Sequence, residues 1–106
     1  MPKLLKETFK ASINNLPGST PTLIVTGDVE VPTPGWKVTL VRKVPQGINP
    51  RILLLDVQAA PPKEPVIQVI QVIPLRYEES PPQNDYSQVT VLDGSDSVTV
   101  DVTITH

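Results

Sequence analysis

Alternation of apolar and polar side chains is the feature that most limits what this chain can fold into. From Thr22 to Val31 the odd positions carry Leu, Val, Gly, Val and Val, and the even positions carry Thr, Ile, Thr, Asp and Glu. Successive side chains of a strand point to opposite faces of a sheet, so this period of two predicts a half-buried strand. The alternation returns over residues 97–105, where valines alternate with Thr and Asp. The chain is therefore predicted to build β-sheet.

The residues that follow the first of these strands predict a chain reversal. Pro32-Thr33-Pro34-Gly35 fixes two φ angles and supplies one residue that adopts a positive φ freely. Beyond it, Trp36, Val38 and Leu40 share one face. We therefore predict a hairpin over residues 22–43, with the single tryptophan in the core.

The remaining strands are predicted by Val-, Ile- and Thr-rich runs between turn signals. They cover residues 8–13, 52–57, 66–77, 86–92 and 97–105, with residues 1–7 flexible and 8–106 forming a single β-sandwich domain. A short helix is the alternative for the first run, because Leu5, Phe9 and Ile13 are four residues apart. Residues 66–73 repeat Val-Ile-Gln with a period of three. Odd positions make the better core face (Ile67, Val69, Ile73, Leu75 and Tyr77), with Gln71 as the exception, so we predict a bulge near Gln71.

About seven short strands in 106 residues, with 13 prolines, form a pattern that resembles the immunoglobulin-like and fibronectin type III architecture. The resemblance implies a single antiparallel β-sandwich, and a small β-barrel is the alternative. The cysteine pair of immunoglobulin domains is absent. Tyr86 stands where a tyrosine corner would lie, although it is out of phase with Val89 and Val91.

Composition argues against several classes of function. A net charge of -2 gives no electrostatic footprint for nucleic acid, and no stretch is long and apolar enough for membrane insertion. There is no cysteine, and the one histidine is the terminal His106, so Ser-His-Asp and Cys-His catalysis and His or Cys metal sites are not expected. We therefore expect no enzyme activity and no cofactor. The absence of a signal-peptide core predicts a cytoplasmic protein if the start is native, or a periplasmic or extracellular one if an export signal was removed.

Three groups of carboxylates lie close together in the sequence. Asp28 and Glu30 share the outer face of a strand and are the best pair for a hydrolase or a ligand site. Asp93, Ser95 and Asp96 place hard oxygens in one turn that could bind calcium, although an Asp-Gly turn explains the same residues. Residues 78 and 79, both Glu, are expected to be solvated in a proline-rich loop.

The strongest functional signal is an excess of apolar residues on two strands. Ile52, Leu54, Ile70 and Val72 would share an outer face if the fourth and fifth strands paired across the Pro61-Pro62 connection. Monomeric proteins rarely expose such a patch. The sequence therefore predicts a non-catalytic module for protein–protein interaction or a structural role, with a protein partner or self-association as a homodimer; the alternative is a carboxylate-based ligand- or calcium-binding protein or hydrolase.

Overall fold

The computed structural model describes residues 2–64 and 66–105, which form an all-β fold. It contains seven strands: β1 (Lys3–Asn14), β2 (Thr22–Val31), β3 (Lys37–Arg42), β4 (Ile52–Ala60), β5 (Gln71–Glu79), β6 (Gln88–Leu92) and β7 (Ser97–Thr105). The all-β class and the count of about seven strands are confirmed. His106 lies outside the described residues.

The strands join in one mixed sheet with the order β3-β4-β6-β7-β1-β2-β5. The β1–β7 and β4–β6 pairs are parallel, and the others are antiparallel. The two end strands, β3 and β5, lie in contact without a shared ladder, so the sheet is nearly closed and barrel-like. Because two of the pairs are parallel, the structure supports the all-β class rather than a clear antiparallel sandwich of the immunoglobulin kind.

The predicted hairpin over residues 22–43 is wrong. β2 pairs with β1 and β5, whereas β3 pairs with β4, so the Pro-Gly connection joins β2, which lies beside the end strand β5, to the opposite end strand β3. Gly35 has a φ of 89°, which explains why glycine stands there. Trp36 precedes the first paired residue of β3 and is only half-buried, with its indole N–H donated to Thr33 Oγ1 at 3.0 Å. Its predicted place in the core is therefore wrong.

The alternation in β2 predicts its buried face correctly. The odd positions of β2 are all buried and the even positions all partly exposed. The core is completed by inward residues of the other strands and one loop tyrosine: Leu4, Phe9, Ala11, Leu40, Leu53, Leu55, Leu75, Tyr86, Val89 and Val91. The interior is thus mostly aliphatic.

β1 begins earlier than predicted and contains an irregularity. Leu4 is buried, so residues 3–7 belong to the sheet rather than to a flexible terminus. The pairing with β2 shifts register between Leu5 and Lys10. Within this bulge the Phe9 ring lies directly over Gly27, where any Cβ would overlap with it. The strand interpretation of this segment is correct and the helix alternative is wrong.

β5 differs most from its prediction. It pairs with β2 from Gln71 to Glu79 in one constant register, so the predicted bulge near Gln71 is wrong. Residues 66–70 precede the strand and belong to no ladder of the described structure. β4 lies between β3 and β6, so the predicted pairing of the fourth and fifth strands is also wrong.

Candidate functional site

One buried carboxylate accepts four hydrogen bonds. Glu79, only 8% exposed, accepts hydrogen bonds from Arg42 Nη1 (2.7 Å) and Tyr77 Oη (2.8 Å) through Oε1. Through Oε2 it accepts them from the Tyr86 hydroxyl (2.7 Å) and the Gln83 backbone N–H (2.9 Å). Arg42 also donates to Tyr86 Oη at 2.9 Å. We call Arg42, Tyr77, Glu79 and Tyr86 the Glu79 cluster.

Strand parity explains why these groups meet. Arg42 follows Val38 and Leu40 on the inner face of β3, and Glu79 follows Leu75 and Tyr77 on the inner face of β5. The chain of pairings makes β3 and β5 run in the same direction, so both strands end at the same end of the sheet. A cation and an anion are therefore brought to the gap where the sheet has no ladder.

The electrostatics of the cluster favour the ionised carboxylate. Burial alone would raise the pKa of Glu79, but the Gln83 N–H, the two tyrosine hydroxyls and Arg42 outweigh it, and the pKa is lowered. Burial and the neighbouring carboxylate raise the pKa of Tyr77 to about 12. The cluster is thus an ion pair with two neutral phenols at ordinary pH.

The Glu79 cluster links β3 to β5 and to the loop that carries Gln83 and Tyr86. Both carboxylate oxygens are fully engaged, and every buried side-chain nitrogen or oxygen in the described part of the chain has a hydrogen-bond partner. The prediction that residue 79 is solvated is wrong. Its parity with Ile73, Leu75 and Tyr77 is the signal that places it on the inner face.

The Asp28–Glu30 pair lies on the outer side of β2, as predicted. Both residues are partly exposed and pair in register with β1 and β5. The backbone N–H of Asp28 donates to Thr8 Oγ1 at 2.8 Å. No group of three or more His, Cys, Asp or Glu side chains arranged to hold a metal occurs among residues 2–64 and 66–105.

The oxygens of the Asp93–Asp96 turn are largely engaged by the turn itself. Asp93 Oδ1 accepts hydrogen bonds from the backbone N–H groups of Ser95 (2.9 Å) and Asp96 (2.6 Å). The Lys6 ammonium lies 2.9 Å from Asp96 Oδ1 and, with the Ser97 N–H, lowers the pKa of that carboxyl. The arrangement is that of an Asx turn with its own cation.

Strand pairing does not bring the predicted interaction residues together. Ile52 and Leu54 are half-buried on β4, and Gln46 covers the Leu54 backbone with hydrogen bonds to its N–H and C=O. Ile70 and Val72, by contrast, are 66% and 53% exposed, before and at the start of β5. The exposed part of the predicted surface is therefore at β5.

An apolar run extends this exposed surface upstream. Ile67 is 74% exposed, and Val66 and Val69 are 40% and 46% exposed. We call residues 66–70 the overhang, because they continue β5 beyond Val31, the last β2 residue that pairs with it. The prediction that these residues lie inside a strand, with Ile67 and Val69 on its core face, is wrong. The overhang is the best candidate for a binding surface.

Comparison with models of known protein families, with curated proteins and with solved structures finds no match for this chain. In the described part of the chain, no helix is long and apolar enough to cross a membrane. The overhang and the Glu79 cluster are therefore the features from which we infer function.

Proposed function

We propose that this chain is a non-catalytic β-module that binds a polypeptide through the overhang and the adjoining start of β5. The observation that carries the proposal is the exposure of consecutive β-branched residues at a sheet edge. Val66, Ile67, Val69, Ile70 and Val72 together expose roughly 500 Å², which is at the upper end of the largest apolar patch on a typical monomer.

Strand addition is the binding mode that suits such a surface. An extended peptide added to a free edge gains main-chain hydrogen bonds, and pockets or patches for alternate side chains give specificity. β5 carries Pro74, a residue found in edge strands because it cannot donate to a second ladder. The overhang, next to this edge strand, offers both the backbone and the apolar side chains that strand addition uses.

The chemistry of the Glu79 cluster agrees with a scaffold role. Its charges neutralise each other in the gap between β3 and β5. The cluster therefore stabilises the nearly closed sheet that carries the overhang.

Site-specific photo-crosslinking tests the proposed function. A photoreactive amino acid at position 67 is compared with the same residue at position 48, since Ile48 is even more exposed than Ile67 but lies in the loop before β4. In cells of the source organism we expect a discrete cross-linked product from position 67 and none from position 48. Absence of any product from position 67, with the protein folded and abundant, would refute the proposal.

A further inference from the structure

We infer that the overhang binds the overhang of a second copy of this chain, antiparallel, about a two-fold axis that passes at Gln68. The inference rests on the proposed function and adds to it the identity of the partner and the register of pairing. It follows from the free backbone, the limits set by proline, and the pairing that symmetry allows.

The backbone of the overhang has unused hydrogen-bonding groups. The one backbone–backbone bond found within residues 66–70 runs from the Val69 N–H to the Ile67 carbonyl at 3.1 Å, a tight local turn centred on Gln68. β2 cannot supply a partner, because its ladder with β5 ends at Val31 and Gln71. Pairing with another strand would exchange one local bond for a ladder.

Prolines limit how far a new strand can extend. Positions 65 and 74 are proline, and neither has an N–H to donate. The stretch available for a continuous new ladder is therefore residues 66–73. A short stretch bounded in this way favours one closed pairing over open-ended strand stacking.

A two-fold axis perpendicular to an antiparallel pair places one residue opposite its own copy. With Gln68 on the axis, Val66 faces Ile70 and Ile67 faces Val69, so every β-branched residue meets another. The two Gln68 amides lie opposite each other, and each can donate to and accept from its copy. This register uses the overhang and no residue that already pairs with β2.

The neighbouring symmetric registers are poorer. With Val69 on the axis, Ile67 faces Gln71 and Gln68 faces Ile70; with Ile70 on the axis, Val69 faces Gln71. Each of these places a polar amide opposite an isoleucine or valine, and cross-strand pairs of that kind lose the apolar contact that stabilises a sheet. The register about Gln71 also matches like with like, but it uses residues 71–73, which already pair with β2, whereas the Gln68 register uses the overhang alone.

Area and charge are also compatible with a second copy. If two copies buried all of the roughly 500 Å² that each exposes at and beside the overhang, the interface would reach about 1,000 Å² in total, which is the upper limit for this contact and the lower bound for a specific interface. Residues 66–73 carry no charge, and the net charge of each chain is only -2, so repulsion between copies is small. The expected complex is a reversible homodimer.

Disulfide trapping tests both the partner and the register, because the chain contains no cysteine. In the Gln68 register the two residues at position 68 are about 5 Å apart, within disulfide reach. Two residues at position 71 would be roughly 20 Å apart, beyond that reach. Gln68→Cys should therefore form a cross-linked dimer at least an order of magnitude faster than its matched control, Gln71→Cys.

Light scattering on the wild type, Ile67→Asp and Ile48→Asp completes the experiment. The wild type and Ile48→Asp should dimerise with rising concentration, and Ile67→Asp should remain monomeric. A wild type that stays monomeric to millimolar concentration, a dimer unaffected by Ile67→Asp, or equal trapping at positions 68 and 71 would overturn self-pairing. A photo-crosslink from position 67 to a different protein would then leave the proposed function standing, whereas no crosslink of either kind would refute both.

Discussion

Replacing Glu79 by glutamine is the sharpest test of whether the Glu79 cluster holds β3 and β5 together. Four donors converge on the carboxylate, two on each oxygen. An amide has a single acceptor oxygen, so in one orientation its NH₂ faces the Gln83 N–H, and in the other it faces Arg42. Neither of those donors can turn into an acceptor. Glu79→Gln therefore leaves a buried donor unpaired and removes the counter-charge of Arg42.

The size of the effect follows from burial. Breaking a fully buried ion pair costs about 3–5 kcal/mol, and one hydrogen bond to a charged group contributes about 1.5–3 kcal/mol. Arg42 is 26% exposed, so water recovers part of its solvation once the carboxylate is lost. We expect the free energy of unfolding to fall by about 2–3 kcal/mol, which lowers the midpoint of thermal unfolding by roughly 10–15 °C in a domain of this size.

Glu78→Gln is the matched control. Its carboxylate contacts Arg76 at 2.6 Å, but both side chains are at least half exposed, and such surface pairs contribute about 0–1 kcal/mol. Urea unfolding followed by Trp36 fluorescence measures both variants against the wild type. Because the folded-state pKa of Glu79 is below the ordinary value of 4.5, its stabilisation is present above pH 4.5 and is lost as the pH falls through the folded-state pKa. The stability gap between the wild type and Glu79→Gln should therefore close in acid.

Two results would refute this reasoning. One is a Glu79→Gln protein as stable as Glu78→Gln at pH 7, which would mean that the convergent donors contribute nothing net. The other is a stability gap that is unchanged from neutral pH to well below pH 4.5, which would assign the loss to packing instead of charge.

Three further predictions concern packing, alkaline pH and metal. Gly27→Ala should lower the free energy of unfolding by about 1–3 kcal/mol, because the new methyl group overlaps with the Phe9 ring. Gly47→Ala, the control, should change it little, because its methyl group meets only the flexible end of a leucine side chain. Equal urea midpoints for the two variants would contradict this prediction. Stability should also fall as the pH rises above 10, since the pKa of Tyr77 is about 12 in the fold and 10 in the unfolded chain. Tyrosinate absorbance and the unfolding midpoints measured at each pH check this, and Tyr77→Phe should weaken the dependence of stability on pH. Millimolar calcium should leave the thermal midpoint unchanged, because Asp96 already pairs with a lysine; a rise in the midpoint would revive the calcium site.

Local features of the fold could be predicted from the sequence. β7 has the predicted bounds, and the buried face of β2 is the predicted one. Both predictions depend only on the alternation of apolar and polar side chains along neighbouring residues. Partner choice could not be predicted in the same way. The Pro-Gly connection shows that the chain turns, but whether β3 then pairs with β2 or with β4 depends on residues far along the chain.

The candidate sites show the same division. Glu79 continues the inward parity of Leu75 and Tyr77, yet its partner Arg42 is 37 residues away and gives no local sign of the pairing. Gly27 on a core-facing position indicates a close approach, but only the bulge in β1 shows that Phe9 is the neighbour. The three-residue period of the overhang can be read from the sequence. The predicted strand over these residues is wrong because the ladder with β2 ends at the pair Val31–Gln71, so the overhang has no strand beside it among the described residues.

β5 is an edge strand whose contacts differ along its length, and this difference explains where binding is expected. Its C-terminal end is held to β3 by the Glu79 cluster, and its middle carries Pro74, which cannot donate to a new ladder. Only its N-terminal continuation, the overhang, has neither an ionic tie nor a neighbouring strand in the described structure. Natural sheets commonly protect such ends with charge or proline, so an uncharged Val-Ile run at this one end is costly for a monomer. Burial against a second strand removes that cost, and for this reason the overhang, rather than either carboxylate group, is the surface on which function is expected to depend.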